Sequence, residues 1–462
     1  MKKGIIIIIC LFIATSSFAQ YSGYCGAEGD GSNLAWALDE EGVLTISGVG
    51  AMADYDIDND NLITTAPWGK YASQLKSLVI NEGITYIGKC AFNACQGFSG
   101  SLIIPNSVIA IGYEAFNSCR SFTGSLIIGN SVIKIGRYAF AYCYSFTGDL
   151  IIPNLVETIG EGAFRGCRGF TGSLIIPGSV KTIDRAAFYG CSGFTGSLAI
   201  SNSVEIIGTS AFEYCSGFTG GLILPNSVET IGLSAFFGCS GFTGNLIIPN
   251  SVVTIDGWAF YGCTDFTGDL NIGNSVEIIG ISAFEDCRGF TGSLIMPNSV
   301  KTIGARAFYR CSGFTGNLII PNSVKTIEEY AFHECKGFMG SLTIGDSVVT
   351  IGKSAFEECS GFTGNLTIPN SVEIIEHFAF SGCSGFMGSL TIPDSEIAIS
   401  GSAFRYCSRF TSIVSKTVVP PVVAANMFEN VNKSIPVQVP KGTAAAYKAA
   451  DGWKEFVHYM EY

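Results

Sequence analysis

The sequence predicts a repeat solenoid, mainly β with short helical turns. Three observations carry that expectation. Fourteen cysteines, from Cys95 to Cys407, recur at a spacing of 24 residues. Six columns hold a single residue type in all 14 copies, those of Leu78, Ile87, Ala91, Phe92, Cys95 and Phe98. The composition is only 14% charged and includes 57 glycines, which argues against disorder and for many tight turns around an apolar stack. A fixed period over most of a 462-residue chain means one small unit stacked on itself, and it overrides the prior of several ordinary domains.

The chain opens on Met1-Lys2-Lys3, an apolar run from Ile5 to Ala14, then Ser17-Phe18-Ala19. A positive start, an apolar stretch and a small-x-small site describe a secretory signal peptide over residues 1–19. The run is too short to span a bilayer and no later segment is long enough, so no transmembrane segment is expected. Cys10 lies inside the run, and Cys25 follows Gly23-Tyr24 rather than a lipid-attachment pattern. The mature protein is therefore expected to be secreted or at a cell surface.

Residues 20–75 do not follow the period and read as an N-terminal cap. Leu34 to Leu38 and Val43 to Ile46 flank Asp39-Glu40-Glu41-Gly42 in a hairpin-like pattern. Trp36 and Trp68 are placed to cover the open edge of the first coil, which would otherwise recruit other strands.

Residues 76–412 form the repeat array, read as 14 coils. A typical unit begins Gly100-Ser101-Leu102-Ile103-Ile104-Pro105-Asn106-Ser107. Leu102 and Ile104 are two apart and point to one face of a short strand. Pro105 removes a ladder donor and ends that strand, and Asn106-Ser107 supply a turn. Val108 and Ile111 form the next inward pair. Glycine holds the corner of Gly112 in nine of 14 copies, with Asp184, Asp256, Glu328, Glu376 and Ser400 elsewhere. Ala115, Phe116 and Cys119 have the spacing of one helical turn packed inward. No coil buries enough to stand alone, so the array is expected to be stabilised by neighbours and to need sealed ends.

The cysteine column admits two readings. Adjacent coils bring Cα atoms into bridging range, and export favours disulfides. Stacked parallel Cα–Cβ vectors do not give the dihedral a disulfide needs, so buried free thiols are the expectation. Cys25 and Cys90 stand outside the ladder, and a bridge between them is left open.

Residues 413–462 read as a C-terminal cap. It holds Pro420-Pro421, a strand at Val437-Gln438-Val439 and a helical stretch from about Thr443 to Glu455. Tyr447, Trp453 and Phe456 are placed to seal the last coil.

The unit Leu-x-Ile-Pro-Asn-Ser-Val-x-x-Ile-Gly-x-x-Ala-Phe-x-x-Cys resembles the BspA-like leucine-rich repeats, also called the Treponema pallidum type. The resemblance covers residues 74–412. Gly42 to Gly48 with Met52 and Pro67-Trp68 is similar to the segment preceding such repeats, and Tyr447, Trp453-Lys454 and Phe456 to the one that often follows. The resemblance implies a leucine-rich-repeat solenoid in an exported bacterial surface or secreted protein. Several relatives are adhesins for host matrix proteins or other bacteria. No sorting domain or wall anchor is apparent in this sequence, so the resemblance does not extend to the mode of attachment.

Chemistry is sparse. The net charge of -12 excludes general phosphate binding, so no nucleic acid is expected. His333 and His377 fall in different columns and His458 in the C-terminal cap, and no metalloprotease, Cys-x-x-Cys or nucleophile-elbow pattern occurs. Gly83 to Lys89 imitates a phosphate loop, but Cys90 stands where Ser or Thr is required. The pairs Glu285-Asp286 and Glu357-Glu358 are expected on a solvent-facing column. No enzyme is expected, and no cofactor beyond calcium: Asp54, Asp56, Asp58 and Asp60 alternate as a weak calcium-loop pattern. It lacks the glycine at the sixth place and has Thr65 rather than Glu at the twelfth.

The stronger signal is the residue between Leu102 and Ile104. Its column reads Val79, Ile103, Ile127, Ile151, Ile175, Ala199, Ile223, Ile247, Asn271, Ile295, Ile319, Thr343, Thr367 and Thr391. An outward apolar ladder often marks an interaction face, although β-branched residues also simply suit stacked strands. The isoleucines Ile103, Ile127, Ile151, Ile175, Ile223, Ile247, Ile295 and Ile319 are the candidate partner-binding residues. A second candidate is the turn face with Tyr113, Tyr138, Tyr142, Trp258, Tyr261, Tyr309 and Tyr330. The expectation is a non-enzymatic scaffold for an extracellular protein ligand, an adhesin. The alternatives are a glycan-capture module and a passive envelope spacer.

Overall fold

A computed structural model describes residues 19–424 and 426–462. The proposed signal peptide and Cys10 lie outside the described residues, apart from Ala19. The chain winds into a β-solenoid with almost no helix. Each coil contributes one two- to four-residue strand to a continuous 15-stranded sheet running from Gly50–Ala51 to Ala398–Ile399. Between regular coils the register is parallel and steps by one repeat, with Ala110 opposite Lys134 and Ile111 opposite Ile135. On an adjoining side the Leu102–Ile103 type of strand pairs in shorter sheets, interrupted along the stack.

The third side corrects the expected helical turn. The residues of the Glu114 and Ser118 columns are left-handed in every coil, at φ 51° and 60° in these two. Alternate residues then use their amides differently. Glu114, Phe116 and Ser118 donate to Arg137, Ala139 and Ala141 of the next coil, while Ala115, Asn117 and Cys119 donate back to Gly112, Glu114 and Phe116. An α-helix aligns its amides along its own axis and would leave the neighbouring coil unbonded. Stacking therefore selects alternating handedness over the helix.

The core is a set of columns. Phe92 to Phe404 form one stack with ring centroids 5.0 to 5.6 Å apart and nearly parallel planes. Offset stacking at this separation adds to the area buried. The stack continues one repeat beyond the regular array at each end, to Trp68 at 5.2 Å and Phe428 at 6.0 Å. The molecule thus has about 16 turns rather than the 14 visible in the period.

Among the described residues the cysteines are free and buried, Cys25 and Cys90 included. Each from Cys119 to Cys407 donates its thiol to the carbonyl of the Phe 27 residues earlier, at 2.9 to 3.2 Å. That carbonyl belongs to the preceding coil, so the thiol is an inter-coil tie. The role needs a small group with a weak donor, which is what Cys supplies.

Both ends are covered. At the first, Leu34–Asp39 and Val43–Gly48 form an antiparallel hairpin, and the second of these strands pairs in parallel with Ser77–Ile80. Trp68 donates its indole N–H to Ala91 O at 2.9 Å and meets Trp36 edge-on. At the other end Ser412–Ser415, Pro436–Val439 and His458–Glu461 extend a parallel sheet. Trp453 and Phe456 stand edge-on to Phe428 at 5.3 and 5.2 Å. The helix there is shorter than expected, Ala444–Ala449, because Ala450 turns extended and Gly452 takes φ 76°.

Candidate interaction surface

The isoleucine ladder is built by strand alternation. Leu102 and Ile104 are buried, so Ile103 between them must face out. The same geometry repeats in each coil. Ile103, Ile127, Ile151, Ile175, Ile223, Ile247, Ile295 and Ile319 are 51 to 77% exposed. Parallel pairing places Ile103 beside Ile127 and Ile151 beside Ile175. With Val79, these make an uninterrupted run of five. Ala199 and Asn271 interrupt the stripe beyond it, each set in register between its neighbours. The threonines at 343, 367 and 391 end it.

A second outward column escaped sequence reasoning. In the long sheet the residue before the invariant Ile faces outward, exposed at Lys134, Thr158, Ile206, Thr230, Ile278 and Ile374 and half-buried at Ala110, Thr182, Thr254, Thr326 and Thr350. Its frequent Thr and Ile carry a signal, but a strand of only two residues, Ala110–Ile111, is too short for periodicity to show between the inward Val108 and Ile111.

The aromatic turn face is less open than expected. Tyr113 and Trp258 are exposed, but Tyr138, Tyr142, Tyr261, Tyr309 and Tyr330 are half-buried. Arginines cover several of them: Arg137 lies 5.1 Å from the Tyr138 ring and Arg310 5.0 Å from that of Tyr309.

The four aspartates are not brought together as a calcium loop. Asp54 accepts hydrogen bonds from Tyr86 Oη at 3.0 Å and Lys89 N at 2.7 Å. Asp56 pairs with Lys89 Nζ at 2.7 Å, which raises that lysine's pKa. Asp58 accepts from Asn61 Nδ2 and from the backbone N–H of Asp60, and these bonds lower its pKa. Among the described residues no group of three His, Cys, Asp or Glu side chains is placed to hold a metal ion.

The His333 and Glu285 neighbourhoods are packed into the turn face. His333 stacks on Tyr309 at 5.0 Å and faces Glu357 at 3.5 Å. Burial pushes the Glu357 carboxyl up, but hydrogen bonds from His333 and Ser354 outweigh it and hold its pKa low. Glu285 corrects an expectation. It is 8% exposed rather than solvent-facing, lying in the column of Tyr261 and Tyr309. Gly83 to Lys89 is mostly the strand Ile84–Ile87, not a phosphate loop.

The geometry is that of a repeat scaffold, and sequence comparison agrees. The BspA-type leucine-rich-repeat region, a six-copy unit, matches residues 70–195, 134–267, 205–338 and 336–447. The chain belongs to that family. No curated protein matches it. Among solved structures it is similar to a leucine-rich repeat protein from Bacteroides ovatus ATCC 8483, with 23% identity, a TM-score of 0.53 and coverage of 83% of this chain and 93% of that one. A leucine-rich cell surface protein from Faecalibacterium prausnitzii A2-165 matches at 21% identity and TM-score 0.40, over 80% of this chain and 94% of its own. The first of these shows the shared fold. Among the described residues no helix is long and apolar enough to cross a membrane.

Proposed function

We propose that this chain is an exported, non-enzymatic adhesin that binds an extracellular protein along the isoleucine ladder. The observation that carries the reading is the uninterrupted exposed run Val79, Ile103, Ile127, Ile151 and Ile175. A contiguous apolar stripe of this length is costly on a soluble protein and is offset when a partner covers it. Many equal contacts along a rigid array suit an extended partner surface, with the central isoleucines contributing most. The N-terminal Lys-Lys and apolar run support export. Membership of a leucine-rich-repeat scaffold family supports a binding rather than a catalytic role.

The test is a screen of residues 20–462 against immobilised extracellular-matrix proteins and a glycan array side by side. Saturable binding to a matrix protein that persists in a calcium chelator is expected. Binding to glycans alone, or binding abolished by the chelator, contradicts the reading. Silence on both surfaces favours a passive spacer.

A further inference from the structure

Arginines stacked on tyrosines recur along the turn face, and several carry a neutralising carboxylate. Arg137 on Tyr138 pairs with Glu161 at 3.1 Å, Arg310 on Tyr309 with Glu334 at 3.5 Å, and Arg405 on Tyr406 with Glu429 at 2.8 Å. One cluster differs. Arg120, Tyr144 and Arg168 occupy a single column in three successive coils, with the guanidiniums 5.5 and 5.8 Å from the ring between them. Beside them Arg165 lies 4.4 Å from the Tyr189 ring and 5.9 Å from that of Tyr142. Arg120 and Arg168 are exposed and Arg165 is half-buried. Among the described residues, none of the three has a carboxylate within ion-pair distance. The Nε of Arg165 is buried without an acceptor. Residues 113–189 hold seven Lys and Arg against five Asp and Glu, a positive island in a chain of net charge -12.

A guanidinium stacked on a ring keeps the donors on its edge free, and its rotamer is already ordered. Without a carboxylate neighbour its charge is available to an oxyanion from outside, by a charge-assisted and often bidentate contact. We propose that Arg120, Arg165 and Arg168 form a binding site for a linear acidic polysaccharide, whose carboxylate or sulfate groups seat on the guanidinium edges. Arg120 and Arg168 are two coils apart, about 10 Å at strand spacing, a fixed pitch suited to anionic groups recurring along a stiff chain. The turn face favours a polysaccharide over an acidic peptide. Its alternate amides already donate to the next coil, as Ser118 does to Ala141 and Tyr142 to Arg165, so no strand edge is left for a peptide backbone to join. The site lies on a different face from the isoleucine ladder and stands or falls independently of it.

The test uses the full mature chain with heparin, polygalacturonate and poly-L-glutamate as separate probes at two salt concentrations. Binding to at least one polysaccharide, weakened by salt, is expected. Heparin alone would assign the contact to sulfate and polygalacturonate alone to carboxylate; both support the site. R120Q/R165Q/R168Q should bind about tenfold more weakly or worse, given three lost charge-assisted contacts. R310Q, which removes an arginine stacked on Tyr309 in a distant coil but already paired with Glu334, should change nothing. If the half-buried Arg165 proves necessary for folding, R120Q/R168Q carries the same comparison. No polysaccharide binding, an unaffected variant, or poly-L-glutamate bound as tightly as either polysaccharide would overturn the proposal.

Discussion

Phe164 sits between Phe140 and Phe188 at 5.4 and 5.5 Å, with no solvent exposure. Truncation to alanine removes two ring contacts and leaves a cavity that rigid neighbours cannot fill. Phe164→Ala should therefore lower stability by about 3–5 kcal/mol in denaturant titration; a loss under about 1 would mean the column is not core. The thiols make a second prediction at this scale. Burial pushes Cys191 up to about 12 from an ordinary 9.0, and burial raises the rest of the column likewise. Above about pH 9 the unfolded chain loses thiol protons that the native chain keeps, so stability falls as pH rises. It is full below pH 9 and lost progressively towards 12, at up to about 1.4 kcal/mol per pH unit for each thiol. The melting temperature should drop steeply between pH 9 and 11, and replacing four column cysteines by alanine should flatten that slope. An unchanged slope would contradict neutral buried thiols. The column itself was legible from spacing. Its hydrogen bond to the preceding coil was not, because a carbonyl 27 residues away becomes a neighbour only once the coil path is known.

Among the elements, the strand at Leu102–Ile103 and the terminal aromatic covers were readable from alternation, Pro105 and the out-of-period tryptophans. The turn departs from the expected helix because Ala115, Phe116 and Cys119 are buried in a helix-like spacing that alternating left- and right-handed residues also produce. Six invariant columns fix which side chains point inward, but handedness is decided by hydrogen bonds to the next coil, which one repeat does not display. Serine at a left-handed position gives the test. Ser234 has φ 54°, where glycine is unstrained and a β-branched residue is crowded. Ser234→Val should lose about 1–2 kcal/mol or more relative to Ser234→Gly. Equal stabilities in urea would argue for a right-handed turn. The long sheet was missed for a related reason: its strands are mostly two residues per coil, too short for any periodicity to register.

Across the whole molecule, stability is carried by contacts between adjacent coils, so the ends matter more than their size suggests. Removing residues 413–462 would strip Trp453 and Phe456 from the end of the aromatic stack and open the last strands. The truncated chain should melt lower and self-associate with rising concentration in light scattering, as uncovered edges do. A monomer with the parent melting temperature would show that this segment is not a cap. Fold and candidate face were both legible because a repeat prints its geometry many times. The partner is not, since the columns that vary least are those that build the scaffold.

The central claim is that the exposed isoleucines hold a protein partner, and the column itself supplies the substitution that tests it. Threonine already occupies this position at Thr343, Thr367 and Thr391, in strands of the same geometry. The deciding measurement is therefore the affinity of Ile127→Thr/Ile151→Thr/Ile175→Thr for whichever matrix protein the parent chain binds, alongside its melting curve. An unchanged melting transition with binding lost is the predicted result. Unchanged binding by a folded variant would contradict the account.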